Sequence, residues 1–102
     1  MRKLIEYQAY FEDLRRDNLE MNNLHVSMDC AVLHSELTNA IILLNSIGIS
    51  DLDKAAYYIN TQMLVHLENF EKELASEFFE QAKVLCKARA ILKEWIERCE
   101  VG

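Results

Sequence analysis

Three histidines, three cysteines and a surplus of carboxylates are the residues of this 102-residue chain that could do chemistry. A metal centre built on helices takes two ligands a turn apart, as in His-x3-His or Glu-x2-His. His25, His34 and His66 form no such pair. If the chain folds back near residue 48, position i faces position 98 − i, and His34 reaches the height of His66 with Glu36 or Glu68 beside them. That cluster lacks paired ligands, so no metal is expected. A nucleophilic cysteine needs a lowered pKa and a nearby base. The same fold-back puts Cys86 opposite position 12 and Cys99 past the N-terminus, away from every histidine. Cys30 lies in an apolar stripe and reads as a small core residue. The carboxylates fall on exposed helix faces, where pKa tuning is not expected. With Gly48 the one interior glycine, a phosphate-cradling glycine loop cannot form. The expectation is no catalytic residue and no cofactor: not an enzyme.

One segment offers another chemistry. The run His34-Ser35-Glu36-Leu37-Thr38-Asn39-Ala40-Ile41 resembles the phosphoacceptor segment of histidine-kinase dimerisation domains. Those are dimeric helical hairpins with an exposed histidine followed by an acidic residue. The resemblance implies a phosphotransfer protein with His34 as phosphoacceptor. Here the acid is displaced by one residue and the usual basic residue after it is missing. Leu37 and Thr38 stand where free-standing phosphotransfer bundles usually have Lys and Gly.

Composition bounds the elements that must position these residues. Apolar residues make up 51% and charged residues 27%, with no proline and two glycines. This is a globular composition with too few turn-formers for sandwiches or barrels. A net charge of −6 argues against nucleic-acid binding, which needs clustered Lys and Arg. The longest uninterrupted apolar runs, Ala40–Leu44 and Ala55–Ile59, fall far short of the roughly 20 residues of a membrane span. Arg2 and Lys3 are followed by Glu6, Glu12 and Asp13, so no leader is expected. An odd number of cysteines without CxxC spacing suits reduced thiols, hence a cytoplasmic protein.

The spacing predicts one all-α domain over 1–102. Leu4, Tyr7, Phe11, Leu14 and Met21 make one stripe, and Val26, Cys30, Leu33, Leu37, Ala40, Leu44 and Ile47 another. The two are rotated by roughly 80°. A break between them, among Asp17-Asn18 and Asn22-Asn23, gives helices over about 2–21 and 24–47. Gly48 ends the second helix in a left-handed conformation, and Ser50 caps the next. A stripe from Leu52 through Ile59, Phe70, Phe78 and Leu85 to Cys99 favours one long helix over 51–99, with a split near 69–76 the alternative. The resulting picture is an antiparallel hairpin with one broken arm. No internal repeat is visible.

The second helix sets the assembly. No Lys or Arg lies between Arg16 and Lys54, and Asp29 and Glu36 are the only carboxylates from Leu24 to Ile47. A helix apolar all round is enclosed by neighbours. Pairing two hairpins into a homodimeric bundle would enclose it; a monomeric three- or four-helix bundle is the other arrangement.

A second stripe on the third helix, Tyr57, Leu64, Phe79, Ala82 and Cys86, either packs under the first helix or forms a face for a partner helix. Glu73, Glu77 and Glu80 beside it suggest an acidic face for a basic partner. The expected function is therefore a small acidic protein–protein interaction module without catalysis, of the adaptor, inhibitor, immunity-type or secretion-chaperone kind. The competing readings are phosphotransfer through His34 and a purely structural dimerisation module.

Overall fold

The computed structural model describes residues 1–101, and all their side chains except those of Glu97, Cys99, Glu100 and Val101. The thiol of Cys99, the last member of the long stripe, therefore lies outside the described residues. Four α-helices follow in order: α1 Arg2–Glu20, α2 Leu24–Ile47, α3 Leu52–Glu68 and α4 Lys72–Val101. No strand occurs among the described residues.

Three residues in the left-handed region stop the first three helices. Gly48 does so at φ 75°, with Leu44 O accepting from its N–H at 3.0 Å. This is the stop that the sequence announces. The other two are Asn22 and Phe70, each at φ 59°. Asn22 N–H donates to Leu19 O and Asn23 N–H to Asn18 O. Phe70 N–H donates to Leu67 O and Glu71 N–H to His66 O in the same pattern. Both are Schellman stops, which satisfy helix-end carbonyls and reverse the chain. The next helix after Gly48 is capped by Asp51, whose side chain accepts from Lys54 N–H at 2.9 Å, and not by Ser50. The Ser50 carbonyl instead accepts from the amino group of Met1 at 2.9 Å.

These stops correct the long-helix expectation. The stretch 51–99 divides at 69–71, within the alternative split, and its stripe loses phase there: Leu67, Phe70 and Leu74 are exposed. The break expected between the first two helices lies at 21–23 and is a full reversal of the chain. The turns at Asn22 and Phe70 each fold a helix onto its sequence neighbour, so α1 packs on α2 and α3 on α4. The broken-arm hairpin mirrored about 48–49 is thereby overturned, because α2 and α3 barely meet. The two rotated stripes of the first half belong to separate antiparallel helices that face each other.

The molecule is two αα-hairpins joined along α2 and α4. They share one register. Adding 48 to a number in the first hairpin gives its counterpart in the second, as Asn22 gives Phe70. Buried Phe11, Ser27, Leu37 and Ala40 correspond to buried Ile59, Ala75, Leu85 and Ala88. Leu4 and Leu44 correspond to Leu52 and Leu92 on the same core cluster. This repeat escapes the sequence because few counterparts are identical. Each buried leucine contributes about 1.5–3 kcal/mol by leaving water. An aromatic group ties α1 to α4: the Trp95 ring lies 5.1 Å from that of Phe11 and 6.0 Å from that of Tyr10.

The core covers only one side of α2. Leu37, Ala40 and Leu44 are buried, whereas Leu24, Met28, Val32 and Ile42 on the far side are 56–66% exposed. The chain by itself therefore leaves one side of α2 uncovered, contrary to the monomeric-bundle alternative. α2 is also, among the described residues, the one helix long and apolar enough by length and composition to cross a membrane. Uninterrupted apolar runs conceal this, because Ser, Thr and Asn break the runs without adding charge. The core helix of a water-soluble bundle satisfies the same criterion.

Candidate docking trough between α3 and α4

On the side of the second hairpin carrying Phe79, α3 and α4 do not close. Two cavities of about 330 and 320 Å³ share Phe79 as a common wall. Leu52, Ala56 and Asn60 of α3 line the first, opposite Ala82 and Cys86 of α4. Met63 and Leu67 line the second, opposite Ala75 and Ser76. Together they make an apolar trough from Leu52 to Leu67, about 22 Å at 1.5 Å per residue.

The first hairpin explains why the trough is open. At the places of Ala56 and Cys86 it has Gln8 and Thr38, and Gln8 Nε2 donates to Thr38 Oγ1 at 2.8 Å. At the places of Asn60 and Ala82 it has Glu12 and His34, and His34 helps to lower the Glu12 carboxyl from across the helix pair. Arg15 donates to the Glu12 carboxylate at 2.6 Å, and that bond holds the Glu12 carboxyl below its ordinary value. Long polar side chains thus fill the cleft of one hairpin. Alanines leave the same cleft of the other vacant.

The trough is lined by cations. Lys83 and Arg89 enter the first cavity and Lys72 the second, and among the described residues no carboxylate lines either. Lys83 Nζ lies 4.7 Å from the Phe79 ring centroid and 3.3 Å from Glu80. Arg89 lies 3.3 Å from Asp53. Such exposed pairs contribute at most about 1 kcal/mol and exchange readily.

The expected partner-binding residues divide. Phe79 sits at the centre of the trough. Tyr57 and Leu64 are exposed and alternate with the lining residues Asn60 and Leu67 at helical spacing, which places them along the α3 rim. Packing of this stripe under α1 is thereby excluded. Glu73, Glu77 and Glu80 lie roughly 100–160° around α4 from Phe79. They do not join the aromatic residues in one face, so the acidic, aromatic face read from the sequence is not assembled. The lining residues that the sequence does not single out are Lys72, Lys83, Arg89 and Ala56, whereas Ala82 lies on the stripe with Phe79 and Cys86. No signal in the sequence distinguishes these alanines from core alanines, since their effect depends on what stands opposite.

The other chemical candidates are scattered. His34 is half-buried on α2 facing α1, while His66 stacks on Phe78 at 5.4 Å with Nδ1 3.2 Å from Glu71. The two histidines sit in different hairpins and are not brought together. Among the described residues no three His, Cys, Asp or Glu side chains converge on a point where a metal ion could sit. Cys30 is buried, and burial, reinforced by Asp29, pushes its thiol up. Cys86 is exposed at the trough, away from position 12. No family model, curated protein or solved structure matches the chain.

Proposed function

We propose that this chain is a non-catalytic protein–protein interaction module whose receiving surface is the α3–α4 trough. The observation behind this reading is the contrast between the hairpins: side chains fill the cleft in the first and leave it open, apolar and cation-lined in the second. A trough between two antiparallel helices accepts the apolar stripe of a third. Its cations select a helix whose flank is acidic, which reverses the charge sense of the partner read from the sequence. Phe79 is the central anchor, since buried aromatic contacts dominate such interfaces.

Cys86 gives a direct test. In a Cys99→Ser background, a thiol-linked benzophenone on Cys86 should photo-crosslink to a helical segment of a bound protein, and Phe79→Glu should abolish the adduct while the circular dichroism stays helical. Loss of helicity in Phe79→Glu would show that the ring is core. An adduct insensitive to Phe79→Glu would show that the trough is not the docking site.

A further inference from the structure

The uncovered side of α2 is unlike an ordinary solvent face. Leu24, Met28, Val32 and Ile42 fall within about 80° of one another around the helix. The residues between them on that side, Ala31, Ser35 and Asn39, are uncharged. The only charges on α2 are Asp29 and Glu36, seven residues apart on one flank, and both are acidic. An uncharged, largely apolar surface of this kind marks an interaction site. The patch from Leu24 to Ile42 is about 27 Å long, and the trough is about 22 Å.

The two surfaces are opposites. One is an apolar helix face whose only charges are negative; the other is an apolar cleft whose lining charges are positive. We propose that the trough of one copy receives the uncovered face of α2 from a second copy, with Asp29 and Glu36 turned toward the α4 wall that bears Lys83 and Lys72. This identifies the occupant of the receiving surface and rests on the reading of the trough given above. Lys83 exchanges its exposed partner Glu80 for an incoming carboxylate. The docked helix covers Phe79, and the docking covers Val32. Donor and acceptor are different patches, so each copy offers one of each and the contact is heterologous.

That asymmetry supplies the test. Sedimentation velocity at concentrations up to the order of 100 μM should show self-association of the parent. Val32→Glu or Met28→Glu blocks the donor face, and Phe79→Glu blocks the trough. All three positions are solvent-exposed, so the helical circular dichroism should persist. Each variant alone should associate at least about tenfold more weakly than the parent. Val32→Glu mixed with Phe79→Glu should give a one-to-one heterodimer, because each retains the surface the other has lost. A monomeric parent overturns the proposal. So does a mixture that stays monomeric, and so does a Phe79→Glu protein that associates as tightly as the parent, which is the outcome for α2 packing on α2. Co-flotation of the parent, but not of Val32→Glu, with phosphatidylglycerol vesicles also overturns it, because α2 would then face lipid. If the parent is monomeric yet Cys86 still crosslinks to a different protein, the second-copy proposal fails while the trough stands as a docking site; if no adduct forms either, both fail.

Discussion

Asn22 and Phe70 hold the same left-handed backbone, φ 59° in each, at the same position of two turns with the same hydrogen bonds. The conformation suits asparagine, whose side chain tolerates it. For phenylalanine it costs about 1–2 kcal/mol, and the Phe70 ring, 88% exposed, recovers little by packing. Strain held at an exposed aromatic is more usual at functional sites than in scaffolding.

Phe70→Gly should therefore stabilise the protein by about 0.5–1 kcal/mol, the relief of strain being partly offset by the flexibility of glycine in the unfolded chain. Asn22→Phe should destabilise it by about 1 kcal/mol. Urea midpoints of both variants check this. Destabilisation by Phe70→Gly would mean that the ring makes contacts the strain argument omits.

Gln81 and its counterpart Leu33 differ in the same way. The Oε1 of Gln81 is buried without a hydrogen-bond partner, whereas Leu33 packs on the core. A buried acceptor left unmatched costs about 1–3 kcal/mol. Gln81→Leu should raise stability by about 1 kcal/mol, seen as a higher thermal midpoint at unchanged helicity. No gain would show that Oε1 reaches water.

The Glu12 carboxyl is held below its ordinary 4.5, first by its hydrogen bond from Arg15 and then by the charges of Arg15, His34 and Arg16. A carboxyl with a depressed folded-state pKa contributes stability above its unfolded value and loses it as pH falls through the folded one. The stability gap between the parent and Glu12→Gln should thus be widest near neutrality and close below about pH 4.5. Denaturant titrations at stepped pH measure it. The group is at the surface, so salt should narrow the gap.

Two thiols should separate by rate. In Cys99→Ser protein, a disulfide reagent should titrate exposed Cys86 at once and buried Cys30 only as the protein opens. Burial also pushes the Cys30 thiol up, leaving less thiolate near neutral pH. Equal rates at low denaturant would place Cys30 outside the core.

Local sequence determined the helical class, the Gly48 stop, and most of the core: Leu4, Phe11, Cys30, Leu37, Ala40, Leu44, Ile59 and Leu85 were all on the apolar stripes and are all buried. Periodicity carries that information because a helix repeats every few residues whatever it packs against. The partners of each helix depended on Asn22 and Phe70, where one backbone angle reverses the chain, and nothing in the composition of the 69–71 stretch distinguishes a turn from a continuing helix. Tertiary structure alone decided the rest. The trough exists because Ala56 and Ala82 stand where the other hairpin has Gln8 and His34, and α2 stays half bare because α1 and α4 approach it from one side. Such features belong to pairs of surfaces distant in sequence, and a stripe read on one helix has no knowledge of the helix opposite.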